Sequence, residues 1–205
     1  MPKAKVLKVD PGAPDKNAVL FAAELLKNGG LVAFPTETVY GIGANLSNKK
    51  SIERLYRIKK RPKSKPFTIH IASTRTIKKT GARLSPFAKA LIKKFWPGPL
   101  TIILPAKKGK LAFRMPRNEV AKMLIAQSRV PVAAPSANIS GKSPARTAGE
   151  ILKSLGNHVD LIIDGGRAEI GEESTIVDTT GSSYKIVRKG AIPAEEIERI
   201  WEEAI

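Results

Sequence analysis

Along the chain, short β-branched runs alternate with longer stretches whose apolar residues recur every three or four positions, a pattern that predicts strands interleaved with helices. "KVLKV" (5–9) reads as a first strand, and "DKNAVLFAAELLKNGG" as a helix opened near Asp15 and stopped by Gly29 and Gly30. "LVAF" is a short buried strand, whereas "PTETVYGIGAN" (35–45) reads as a polar, glycine-containing loop. "NKKSIERLYRIKK" is a helix with Asn48 as N-cap, Ile52, Leu55, Tyr56 and Ile58 near one face, and Pro62 at its end. "FTIHIA" alternates as a strand, "SPFAKALIKKFW" is a helix with Ser85 as N-cap and Pro86 at its first position, and "LTIIL" is again a strand.

The second half continues in kind. "LAFRM" and "VPVAA" read as strands around the helix "NEVAKMLIAQS", followed by the loop "PSANISGKSPAR". "TAGEILKSLG" carries a capping box, Thr147 with Glu150, and closes at Gly156. "DLIID", "STIVD" and "YKIVR" are strands, and "AEEIERIWEEA" is a terminal helix. The alternation predicts an α/β fold, a twisted mixed sheet with flanking helices, whose functional loops gather at strand ends. With no internal repeat or linker-like tract, residues 1–205 are expected to form one domain.

Composition narrows the chemistry. There is no Cys among the 205 residues, which excludes disulfides, thiol nucleophiles and thiolate metal sites. The two histidines, His70 and His158, are too few for a His-rich metal centre. No Walker phosphate loop, hydrolase elbow or kinase signature occurs. No apolar run reaches the roughly 18 residues of a spanning helix, and the N-terminus lacks a signal-peptide core, so a cytoplasmic address with no membrane partner is expected.

The net charge of +18 is unevenly placed. Residues 1–110 hold 24 Lys and Arg against 5 Asp and Glu, while residues 111–205 hold 12 against 13. Such asymmetry suits a polyanionic partner, either nucleic acid or a triphosphate, and is equally compatible with a solvated basic surface. "RIKKRPKSK" (57–65) concentrates the surplus; a nuclear address, a solvated helix face, a nucleic-acid patch and a phosphate-binding wall all fit it.

Four loops carry polar residues that a core does not need. "FPTETVYGIG" sets Thr36, Glu37 and Thr38 before Gly41 and Gly43, as turn chemistry or as donors facing a small polar ligand. Lys59 and Arg61 straddle one residue at a helix end, where the dipole alone favours cations. His70 follows on a strand, a position more often explained by packing than by a ligand. "APSANISGKSPAR" offers Ser136, Asn138, Ser140 and Ser143, groups suited to phosphate or ribose. "ESTIVD" with "IVRKGAI" places Arg188 at a strand exit, and Arg114 ends the strand of "FRMP"; each guanidinium could clamp an anion or form a plain salt bridge.

Seven blocks, "GGLVAFPTETVYGIG", "IKKRPKSKPFTIHI", "FWPGPLTIIL", "FRMP", "APSANISG", "ESTIVD" and "VRKGAI", in this order resemble the YrdC-like family, the threonylcarbamoyl-AMP synthases. The family's Lys-x-Arg and Ser-x-Asn signature is intact as Lys59, Arg61, Ser136 and Asn138. The resemblance implies a YrdC-like sheet around a basic concave cleft. It further implies synthesis of threonylcarbamoyl-AMP and pyrophosphate from L-threonine, bicarbonate or carbon dioxide, and ATP, for threonylcarbamoyladenosine in tRNA. By that resemblance Lys59, Arg61, Ser136 and Asn138 are the catalytic set. Lys65, Ser143 and Arg188 join them on ATP, and Thr36, Thr38, His70, Arg114 and Ser174 hold threonine. No protein metal site is implied; Mg²⁺ would travel on the ATP phosphates. Weak tRNA contact and a tRNA-threonylcarbamoyl transferase complex are the implied macromolecular partners. The rival reading is an RNA-binding or ribosome-associated module using the same cleft. Against it stand few aromatics, 3 Tyr, 2 Trp and 6 Phe, and no basic strand interleaved with them.

Overall fold

The computed structural model describes residues 3–204. Ten strands form one mixed sheet: β1 (Lys5–Lys8), β2 (Val32–Phe34), β3 (Gly41–Asn45), β4 (Ile69–His70), β5 (Leu100–Pro105), β6 (Lys110–Arg114), β7 (Val132–Ala133), β8 (Leu161–Asp164), β9 (Thr175–Asp178) and β10 (Lys185–Arg188). Their order is β1-β8-β2-β3-β7-β4-β6-β5-β9-β10. Parallel pairs (β1 with β8, β2 with β8, β4 with β6, β5 with β9) mix with antiparallel ones (β2 with β3, β3 with β7, β4 with β7, β5 with β6, β9 with β10).

Seven helices cover it: α1 (Lys16–Lys27), α2 (Lys49–Lys59), α3 (Arg75–Lys79), α4 (Pro86–Phe95), α5 (Glu119–Ser128), α6 (Ala148–Leu155) and α7 (Ala194–Ala204). None among the described residues is long and apolar enough to cross a membrane. The period of two along each strand sorts side chains between the two faces. Leu31, Ala33 and Ile162 pack in one cluster with Leu55 of α2 and Ile151 of α6. Val32, Phe34, Leu161 and Ile163 pack in another with Val19 and Leu26 of α1 and Leu124 of α5. A third cluster joins Leu100, Ile102 and Leu104 of β5 to Leu91 of α4 and Ile197 of α7.

The caps follow the sequence signals. Asp15 accepts from the amides of Asn17 and Ala18, Asn48 from that of Ser51, and Ser85 from that of Ala88. Thr147 accepts from the Glu150 amide, but the reciprocal carboxylate bond lands on the Arg146 amide, one residue before the cap.

Three expectations change. The second half of the predicted loop 35–45 is β3, fully buried between β2 and β7. Its glycines disguise it, and packing explains one of them: a Cβ on Gly43 would stand 2.8 Å from Leu26 Cδ1 and 3.1 Å from Phe34 Cε1. The strand read over 67–72 shrinks to Ile69–His70. Downstream of it, α3 is a five-residue helix that no apolar periodicity announces.

Candidate active site

The ends of β2, β4, β5, β6 and β9 and the loops after α2 and β7 enclose a cavity of about 390 Å³. Of the residues singled out from sequence, Thr36, Gly41, Lys59, Arg61, His70, Arg114, Ser136, Asn138, Ser140, Ser174 and Arg188 line it.

One wall is built where α2 ends. Lys60 adopts a left-handed conformation as C-cap (φ 47°), which leaves Lys59 on the last helical turn and turns the chain towards Arg61. Lys59 is 2% exposed, and its Nζ donates to Ser136 O at 2.6 Å and to Asn138 Oδ1 at 2.5 Å. Ser136 Oγ donates to the same Asn138 oxygen at 2.8 Å, and the Asn138 amide nitrogen donates to Lys142 O. The Ser140 amide bonds Lys59 O at 2.9 Å, so the Lys-x-Arg and Ser-x-Asn segments are knit into one unit. Burial pulls the Lys59 pKa down to about 8; Glu173 opposes that shift, and Arg61 and Arg188 add to it.

Arg61 is held over Phe67, its guanidinium carbon 5.4 Å from the ring centroid, while Nε and Nη2 donate to Lys65 O and Pro66 O at 2.8 and 3.1 Å. Arg188 leaves β10 opposite. Its Nε and Nη2 donate to Ser174 O at 3.0 and 2.8 Å, and Nη1 pairs with Glu173 Oε1 at 2.7 Å. Lys59, Arg61 and Arg188 thus converge on this wall of the cavity, with Glu173 as the one carboxylate among the described residues of its lining.

The floor is a buried polar relay. Arg114 lies beside His70 in the β4–β6 register. Its Nη2 donates to Glu37 Oε1 at 2.9 Å and to Thr38 Oγ1 at 2.7 Å, and Nε reaches Gly98 O at 3.4 Å. Thr36 Oγ1 spends its proton on Val39 O (2.6 Å), so at 2.9 Å from Thr38 Oγ1 it must accept from that hydroxyl. Both side chains of the Arg114–Glu37 pair are almost fully buried, and Glu37 Oε2 is left without a partner.

His70 meets Phe34 edge-on and leaves Nδ1 unpartnered. Burial first, and the Arg114 charge second, push its pKa down to about 3, so the imidazole is neutral. Ser174 Oγ lies 2.8 Å from Thr101 Oγ1 and accepts from Arg188 Nη2 at 3.0 Å. Tyr40 completes this side, its hydroxyl donating to Gly166 O at 2.6 Å.

Three of the site residues assigned through the resemblance do not line the cavity. Thr38 stands behind Arg114 as its hydrogen-bond partner. The Lys65 side chain is exposed, and the residue acts on the site through its carbonyl on Arg61. Ser143 is exposed beyond the turn at Gly141 (φ +84°). Conversely, Thr101, Glu173 and Tyr40 emerge only here, and Glu37, which the sequence offers only as a member of the first polar loop, takes its role as the Arg114 partner. A carboxylate set between the apolar runs "LVAF" and "VYGIG" is the sequence signal that marks Glu37.

Among the described residues no group of three or more His, Asp or Glu could hold a metal ion. The geometry offers two chemically distinct ends, an outer cluster of cations for phosphates and an inner floor of neutral donors with a neutralised guanidinium.

A family model named for Sua5, YciO and YrdC, and described as telomere recombination, matches residues 24–190. The threonylcarbamoyl-AMP synthase of Pyrococcus abyssi is 41% identical over 192 residues, covering 89% of this chain and 56% of that protein. The one from Bacillus subtilis is 40% identical over 190 residues, covering 87% and 55%. This chain therefore spans little more than half the length of those relatives. A Methanocaldococcus jannaschii relative matches nearly end to end, 35% identical with 96% of this chain and 98% of its own covered. Among solved structures, Pyrococcus abyssi Sua5 complexed with L-threonine superposes with a TM-score of 0.91 at 39% identity, over 97% of this chain and 61% of that one. Escherichia coli YciO gives 0.84 at 26% identity, over 95% and 99%. With the sheet, the cavity and both paired motifs in place, the chain belongs to the Sua5/YciO/YrdC family.

Proposed function

We propose that the cavity joins L-threonine, bicarbonate or carbon dioxide, and ATP into threonylcarbamoyl-AMP, releasing pyrophosphate, as a step towards threonylcarbamoyladenosine in tRNA. The observation that carries this reading is the pairing of a three-cation wall with a buried, charge-balanced floor in one cavity. The threonine amine forms a bond to the carbon, with carbon dioxide opening one C–O π bond as the amine loses a proton, or with bicarbonate losing its hydroxyl as water, and either route gives a carbamate. A carbamate oxygen then bonds to the α-phosphorus, and the bridging oxygen leaves with pyrophosphate.

Both reactants are anions, so the task is to hold them in line against their repulsion. Lys59, Arg61 and Arg188 take the phosphates, and Ser136 and Asn138 keep the Lys59 ammonium aimed while offering contacts to the nucleotide. The Arg114 guanidinium takes the threonine carboxylate, with Glu37 and Thr38 fixing its plane. Thr36, neutral His70 and Ser174 supply polar contacts beside it, and no side chain need act as a covalent nucleophile. Mg²⁺ would travel on the phosphates, whose charge it would neutralise, rather than in a site of protein ligands. Lys65 serves the nucleotide indirectly, through Arg61. A product of this kind would pass to a tRNA-threonylcarbamoyl transferase complex.

A nucleic-acid module using the same cavity is not favoured, since the named relatives are synthases. Purified chain with threonine, bicarbonate, Mg²⁺ and ATP should release pyrophosphate only when threonine is present. Release that ignores threonine, or none, overturns the assignment.

A further inference from the structure

Residues 165–173 join β8 to β9 as a strap against the cavity floor. The strap is pinned along its length. The Gly165 amide donates to the Tyr40 hydroxyl at 3.3 Å, and that hydroxyl donates to Gly166 O at 2.6 Å. The Ala168 amide donates to Arg146 O at 2.8 Å, the Ile170 amide to Glu37 O at 2.8 Å and the Gly171 amide to Thr38 O at 2.7 Å. Two residues further on, Glu173 pairs with Arg188, and Ser174 accepts from the same guanidinium. One strap therefore touches the residues that hold Arg114 and ends on those that hold Arg188.

Ala145 and Arg146 are where the strap meets the Ser-x-Asn loop and the floor. The Tyr40 amide donates to Ala145 O at 2.9 Å, the Ala145 amide to Ala137 O at 3.1 Å and the Ala137 amide to Tyr40 O at 2.7 Å, which closes a ring between loop and floor. The Arg146 guanidinium takes no part in that ring. Among the described residues its buried Nε has no hydrogen-bond partner, and no ion pair includes it. It lies instead on Gly171, where a Cβ would run into Arg146 Cζ, Nε and Nη2. A planar, weakly hydrated guanidinium suits a flat seat on a peptide, and a glycine at φ +75° leaves that seat open. Gly171 is thus held twice, by Thr38 O through its amide and by Arg146 over its Cα.

We propose that Arg146 is a positioning residue, a latch that presses residues 165–173 onto Thr36, Glu37 and Thr38 and so fixes the spacing between the Arg114 and Arg188 ends of the cavity. Arg146 does not line the cavity and acts only through the strap. Leaving a buried Nε–H unpaired costs stability, so the seat on Gly171 is kept against that cost. Each end has its own side-chain supports: Glu37 and Thr38 on Arg114, Glu173 and Ser174 on Arg188. Without the latch each end would still bind its ligand. What would be lost is the registration between the two, on which in-line attack depends. The consequence for catalysis rests on the reaction proposed above, whereas the latch itself does not.

The test uses the full chain. Arg146→Met keeps an apolar stem and removes the planar cation, and Arg146→Lys keeps the charge without the plane. Threonine-dependent pyrophosphate release gives kcat and KM, calorimetry gives the separate affinities for threonine and for a non-hydrolysable ATP analogue, and hydrogen exchange follows the Ile170 and Gly171 amides. In both variants kcat should fall ~10- to 100-fold while each affinity stays within about threefold of the unaltered chain. The two amides should exchange at least about tenfold faster, with the rest of the chain unchanged. Guanidinium, far below concentrations that unfold the chain, should restore part of the kcat of Arg146→Ala. Unchanged exchange at both amides overturns the latch. An unchanged kcat, or affinities that fall as far as kcat, overturns its part in alignment. If the unaltered chain releases no pyrophosphate with threonine, the reaction assignment falls, and the exchange of Ile170 and Gly171 alone decides the latch.

Discussion

Replacing Lys59 with Met separates what this side chain does for binding from what it does to stability. The ammonium is held in a site where burial brings its pKa from 10.5 to about 8. Each pKa unit corresponds to about 1.36 kcal/mol, so keeping the charge there costs the fold on the order of 3 kcal/mol relative to an exposed lysine. The replacement removes that cost but strips Ser136 O of its donor and leaves Asn138 Oδ1 with only Ser136 Oγ, together a loss of ~1 to 3 kcal/mol. The two effects nearly cancel, so the variant should unfold within about 2 kcal/mol of the parent at pH 7. The pH dependence is more telling. Below pH 8 Lys59 is protonated in both folded and unfolded chains; between pH 8 and 10.5 the folded chain releases the proton while the unfolded chain keeps it. The unfolded state then binds more protons, so this residue's contribution to stability rises with pH across that window, by up to about 1.4 kcal/mol per unit. Urea titrations of both proteins at pH 7, 8, 9 and 10 should show the parent gaining on the variant above pH 8. Affinity for a non-hydrolysable ATP analogue should fall at least tenfold in the variant. A stability difference that stays flat with pH, or runs the other way, would refute the account of a strained, buried ammonium.

Changing Arg114 to Met strands the Glu37 carboxylate and should cost roughly 3 to 5 kcal/mol, while the double change with Glu37→Gln should recover most of it; equal losses in thermal or urea unfolding would deny the coupling. Glu173→Gln releases Arg188 from its 2.7 Å ion pair and should tighten nucleotide binding several-fold by calorimetry, with unchanged or weaker binding counting against competition for that guanidinium. Because the His70 pKa is depressed from 6.5 to about 3, the unfolded chain binds more protons in that window, and stability falls as the pH drops from 6.5 towards 3. His70→Gln should make acid unfolding shallower, and an unaltered acid profile would contradict a buried neutral imidazole.

Most helices were legible because their caps and apolar stripes are local features: Asp15, Asn48, Ser85 and Thr147 all cap as their side-chain chemistry predicts. β3 was not, since a buried strand containing two glycines carries neither alternation nor β-branched enrichment, and only the closeness of Leu26 and Phe34 explains Gly43. The cavity residues were recovered wherever they sit in recurrent motifs, as Lys59, Arg61, Ser136 and Asn138 do. The pairing of Glu37 with Arg114, and Thr101 altogether, were not legible because their meaning depends on partners 77 and 73 positions away, Arg114 and Ser174. The same reasoning explains Thr38, whose hydroxyl reads as a ligand contact in sequence but is occupied by a guanidinium in the fold.

The unbroken burial of Leu31–Asn45 has a consequence for how the protein breathes. Thr36, Glu37 and Thr38 sit inside that segment, which is flanked by β7 and β8; the Glu37 and Thr38 carbonyls accept from the Ile170 and Gly171 amides, and the Tyr40 and Ile42 amides donate to Ala145 O and Pro135 O. Such a segment has no low-energy local opening, so its protons should exchange with solvent only when the whole molecule unfolds. The opposite wall, from Ser140 to Ser143, is exposed and should exchange orders of magnitude faster. Any adjustment that admits or releases a ligand would then occur on the Ser140–Ser143 side, with the Arg114–Glu37 end of the cavity serving as a fixed anvil.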